Sequence, residues 1–145
     1  MGLDMYLNAK RFFWNDEADL TETIAKLFPE LQDGKQVREI VVEAIYWRKV
    51  NSIHNWFVEN VQGGTDDCGS YEVTLDQLIK LRDLILEVLK TRDSSKLPPK
   101  PGFFFGSTDI DEYYFDDLEY TLSSINRVLE DFNNGSWTFF YESSW

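Results

Sequence analysis

Both ends of this chain are written in period two, and that limits the fold more than anything between them. Leu3, Met5 and Leu7 alternate with Asp4, Tyr6 and Asn8. Alternation of this kind marks a half-buried strand, expected here over residues 2–12. The closing WTFFYESSW, residues 137–145, is also β-like and is set off by Asn133-Asn134-Gly135. The first and last strands are therefore expected to be antiparallel neighbours in one sheet, a pairing that ties down both termini.

Helices are expected in between. A short one spans Asp16 to Phe28 and stops before Pro29. The strongest covers 36–61, where Ile40, Ala44, Trp47, Val50, Phe57 and Val61 recur at helical spacing and Gly63-Gly64 ends the run. Tyr71 and Val73 suggest a brief strand. Thr74 and Gln77 form a capping-box pattern that opens a helix with Leu75, Leu78, Leu81, Ile85, Val88 and Leu89 inward. Pro98, Pro99 and Pro101 keep residues 92–102 a loop. The last helix runs from Asp109 to Phe132, with Tyr114, Leu118, Leu122, Ile125, Leu129 and Phe132 on its inner stripe. The expected class is α+β: one domain over residues 1–145, a small antiparallel sheet packed by three main helices.

A net charge of −12 disfavours direct contact with nucleic acid, whose phosphates need Lys and Arg. It disfavours anionic membranes too and favours a basic partner. The single cysteine, Cys68, rules out an internal disulfide and fits a reducing compartment. MGLDMYLNAK lacks the basic and apolar regions of a signal peptide, and no apolar run approaches the ~18 residues of a membrane span. A cytoplasmic location is expected.

Three segments could carry chemistry. The first, YWRKVNSIHNWF, holds the only histidine. On one helix, Trp47, Asn51, His54 and Val58 would share a face. A pocket there would stack a planar ligand on Tyr46 or Trp47, meet an anion with Arg48 and Lys49, and direct hydrogen bonds from Asn51 and His54, with Asp67 nearby. The plain structural reading is that Asn51 and His54 pair with a turn they pack against. The second segment is that turn, GGTDDCGSYEV. Cys68 and His54 have the residue types of a nucleophile and base. However, two aspartates and a helix C-terminus beside Cys68 disfavour a thiolate. The segment has neither zinc nor calcium spacing, and no metal or cofactor is expected.

The third segment is acidic and aromatic. Residues 101–145 hold nine acids against one arginine, a net −8. Asp109, Asp111, Glu112, Asp116, Asp117 and Glu119 cluster with Tyr113 at the start of the last helix. Carboxylates suit a helix N-terminus, but Glu112 and Asp116 are like charges four apart. Such a row could engage a basic groove in place of a phosphate backbone. Its plain alternative is a solvated face. Just before it, GFFFGS places three rings in a row, which cannot all face one way. Either both sides are buried or one ring is offered to a partner.

GLDMYL, YWRKVNSIHNWF with VQGGTDDCGSYEV, GFFFGSTDIDEYYFDDLEYT and the ending WTFFYESSW together resemble a family of small bacteriophage and prophage proteins. The resemblance covers most of the chain, with 15–36 and 90–100 as variable parts. It implies an accessory phage protein in the bacterial cytoplasm, of a kind that blocks host defences such as CRISPR nucleases. No catalytic residue is carried over with it. The leading expectation is a non-enzymatic inhibitor that docks its acidic, aromatic surface on a basic defence protein. The alternatives are a nucleotide-signal sponge built on Tyr46, Trp47, Arg48, Asn51, His54 and Asp67, and a Cys68–His54 hydrolase.

Overall fold

The computed structural model describes residues 2–14, 18–31 and 33–145. Among these the order is β1 (Asp4–Phe12), α1 (Ala18–Ala25), β2 (Glu39–Arg48), α2 (Asn51–Asn60), β3 (Ser70–Val73), α3 (Leu75–Thr91), α4 (Glu112–Asp131) and β4 (Thr138–Ser144). The strands form one antiparallel sheet in the order β2-β1-β4-β3. The two terminal strands are central neighbours, paired from Asp4↔Ser144 to Lys10↔Thr138. The α+β class is as expected, and no described helix is long and apolar enough to cross a membrane. The first positions of the expected 16–28 helix lie outside the described residues.

The expected single helix over 36–61 is a strand followed by a shorter helix. The physical reason is a bulge. Leu7 pairs with Ile45 but Asn8 pairs with Glu43, so Ala44 has no partner on β1. One extra residue swaps the faces of the strand beyond it. Even-numbered Ile40 and Val42 therefore lie on the same face as odd-numbered Ile45 and Trp47. The swap makes a two-residue period look like steps of four and three. The β-branched run Ile40, Val41, Val42 and Ile45 suits a pleated surface and decides the matter. Lys49, in the left-handed region at φ 58°, then turns the chain into α2.

One face of the sheet supplies Leu3, Met5, Leu7, Ile45, Trp47, Phe139 and Tyr141 to the core. Leu78, Leu81, Ile85 and Val88 of α3 pack there with Leu118, Ile125 and Val128 of α4. Most of α2 is buried, and its Phe57 stacks on Tyr141 at 4.0 Å with rings 7° from parallel. Such a pair contributes roughly 0.5–1.5 kcal/mol beyond the area it hides. The Thr74–Gln77 capping box forms as the sequence predicts, with Gln77 N–H on Thr74 Oγ1 at 3.1 Å and the reciprocal bond at 2.9 Å. Helix α4 begins at Glu112, with Asp111 as its cap.

Candidate binding surface

Splitting YWRKVNSIHNWF between a strand and a helix removes the single helix face expected there. Tyr46 and Trp47 are adjacent on β2, so their rings leave opposite faces of the sheet. Tyr46 lies beside Tyr6, 5.4 Å between centroids, and its hydroxyl donates to Asp4 Oδ1 at 2.5 Å. Trp47 is buried, and its indole N–H donates to Thr121 Oγ1 at 2.9 Å. Arg48 reaches Asp4 at 3.5 Å. Asp67 accepts from Gly69 N–H at 2.9 Å and from the Tyr71 hydroxyl at 2.8 Å, closing its own turn. Tyr46 and Trp47 therefore do not share one face with Asn51 and His54, as the expected helix would require.

His54 is fully buried and both ring nitrogens are occupied. Nε2 lies 3.0 Å from Asp66 Oδ2, and Nδ1 lies 2.6 Å from the Tyr141 hydroxyl. A carboxylate only accepts, so in the neutral ring Nε2 carries the proton and Tyr141 donates to Nδ1. Burial pulls the imidazole below its ordinary value, against the opposing pull of Asp66. Burial likewise raises the Tyr141 phenol well above its ordinary value. The indole of Trp145 donates to the other oxygen of Asp66 at 3.1 Å. His54 thus fastens α2 to β4 and to the 63–69 turn. Cys68 is exposed at φ 56° and makes no hydrogen bond to His54, so the nucleophile–base pair is not formed. Sequence reasoning could see that His54 would meet the turn. It missed Tyr141, which lies 87 residues away.

Asn51 does something different. Its Nδ2 donates to the carbonyls of Phe105 and Ser107, at 2.9 Å each, and its Oδ1 accepts from Lys100 N–H at 3.0 Å. One buried amide therefore makes three hydrogen bonds to the backbone of the 100–107 loop. Leu3 N–H adds a bond to Phe104 O at 3.0 Å. Gly102 lies under the Phe105 ring, where a Cβ would come within 2.6 Å of it. The three rings of GFFFGS then separate: Phe105 is buried, Phe104 is half-buried, and Phe103 is 95% exposed. One ring faces outward from a braced loop, so the segment is not buried on both sides.

The acids follow this loop in the chain. Asp109, Asp111, Glu112, Asp116 and Glu119 are exposed, and Tyr113 among them is 79% exposed. Asp109 precedes α4 and is not part of it, a correction to the expected helix start. Asp111 caps the helix by accepting from Tyr114 N–H at 3.2 Å. Asp117 is half-buried. Burial first, then the charges of Asp116 and Asp111, push its carboxyl up to about 6. A groove of about 280 Å³ separates this helix start from the β2–α2 junction, with Arg48, Lys49 and Asn51 on one side and Asp109, Tyr113 and Asp117 on the other. Among the described residues no group of three or more His, Cys, Asp or Glu could hold a metal ion. Compared with protein families, curated proteins and solved structures, the chain finds no match.

Proposed function

We propose that this chain is a phage-encoded, non-enzymatic binding protein that inhibits a bacterial defence system by docking on a basic protein surface. The observation that carries the reading is Phe103, an almost fully exposed ring on a loop held by Asn51 that leads in sequence to an exposed acidic helix start. A ring fixed in place before binding loses little freedom on docking, which is how aromatic anchors come to dominate interfaces. The carboxylates of the helix start supply long-range attraction to a basic partner and repel acidic ones. The phage context, the defence target and the bacterial cytoplasm rest on the family resemblance. The occupied nitrogens of His54 support a binding role over a catalytic one.

The test is capture from a lysate of defence-proficient bacteria with tagged protein. Wild type should retain one basic protein stoichiometrically, with binding that weakens as salt rises. Phe103→Ala and the pair Glu112→Lys, Asp116→Lys should each lose it. Capture indifferent to both changes would refute the reading.

A further inference from the structure

Asp117 poses a problem that the fold leaves unsolved. Its carboxylate is half-buried and has no hydrogen bond or ion pair among the described residues; the Thr121 hydroxyl donates to its backbone carbonyl at 2.7 Å. An ionised carboxylate removed from water is costly unless a cation or donors meet it. It lines the groove described above, together with Asp109 and Asp111. The cations across the groove do not answer it. The guanidinium of Arg48 is turned to Asp4. The stem of Lys49 lies against Gly2 and Gly106, 3.0 and 3.1 Å from where a Cβ would stand on each. Asn51 has spent its amide on the loop.

We infer that this groove receives one arginine of the protein partner, its guanidinium on the Asp117 carboxylate and its flat face against Tyr113. The inference rests on the docking reading above and sharpens it to one residue type. A groove of about 280 Å³ is far larger than a bare ion and is long enough for a side chain. Arginine is favoured over lysine for two reasons. Its fork meets a carboxylate through two parallel bonds, and its plane stacks on an aromatic ring. Tyr113, mostly exposed at the rim, is free to take that contact.

The experiment needs no partner. N-acetyl-arginine methylamide is titrated into isotope-labelled full-length protein by NMR, with the lysine analogue alongside. Saturable shifts are expected at Ser107, Asp111, Tyr113 and Asp117, at least about fivefold weaker for lysine. Asp117→Asn should weaken the arginine probe about tenfold. Tyr113→Ala, a change at a mostly exposed side chain, should weaken it severalfold. Glu130→Gln, which removes an equal charge farther along α4, should leave it unchanged. Equal response to both probes, no saturation, or an Asp117→Asn protein that binds like wild type would each overturn the inference. The capture experiment depends on Phe103, Glu112 and Asp116, which do not line the groove. Capture lost on Phe103→Ala but unaffected by Asp117→Asn would leave the docking face standing and remove the groove.

Discussion

Asp117→Asn should make the protein more stable at neutral pH, although it deletes a native charge. The carboxyl is raised from 3.8 to about 6 by burial, with Asp116 and Asp111 adding to the rise. Taken whole, that difference corresponds to about 3 kcal/mol between the two protonation states. Solvent screening of a half-buried group reduces it to roughly 1–2 kcal/mol. Below pH 3.8 the side chain is protonated whether the chain is folded or not, and it costs nothing. As pH rises from there, the unfolded chain ionises first, so folding stability falls. Above about pH 6 the folded side chain is charged as well and the full cost is present. Asparagine carries no such cost. Thermal unfolding followed by circular dichroism at pH 7.5 should place Asp117→Asn roughly 3–6 °C above wild type. The gap should close as pH approaches 4. A gap independent of pH, or a wild type that melts higher at pH 7.5, would refute the account of Asp117 as an unpaired, half-buried carboxylate.

Other substitutions report on the remaining polar ties. Asn51→Ala removes three hydrogen bonds from the 100–107 loop, so hydrogen exchange of the amides there should quicken by at least tenfold while those of α3 hold. His54→Ala should cost about 3–5 kcal/mol in urea unfolding, because a cavity opens and the buried Tyr141 hydroxyl loses its partner. The wild-type histidine, held below its ordinary value, also makes stability fall as pH drops below 6.5, since the unfolded chain takes up the proton first. A His54→Gln protein should lack that slope. Thr121→Val keeps the shape of the side chain and removes the acceptor of the Trp47 indole, so a loss of about 1–3 kcal/mol with altered tryptophan fluorescence is expected.

The sequence reveals those parts of the fold whose rules are local. Alternation at Leu3, Met5 and Leu7 fixes β1, and the Thr74–Gln77 pair fixes the start of α3. β2 was hidden because the extra residue at Ala44 turned its two-residue period into a helical one. Only the β-branched residues around it preserved the strand signal. At the candidate surface, acidity and aromatic surplus can be read directly from residues 101–119. Which of Phe103, Phe104 and Phe105 faces outward cannot, because that depends on Asn51, about fifty positions earlier. The pairing of His54 with Tyr141 is hidden for the same reason: it exists only after the terminal strand closes the sheet.

The extra residue at Ala44 has a further consequence, for how copies of the chain behave in a crowd. β2 is one rim of the sheet, and a rim of unpaired amides and carbonyls invites any extended segment to add itself. The opposite rim, β3, is four residues long and gives little purchase. The ten-residue rim is the exposed liability, and it is spoiled along its length. The bulge breaks its regular spacing, exposed Glu39 and Glu43 set like charges along it, and Tyr120 takes the carbonyl of Tyr46 at 2.8 Å. A second copy laid against it would bring carboxylates together and find no unbroken ladder to join. The irregularity that disguises β2 as a helix in the sequence also makes its rim a poor template for another strand.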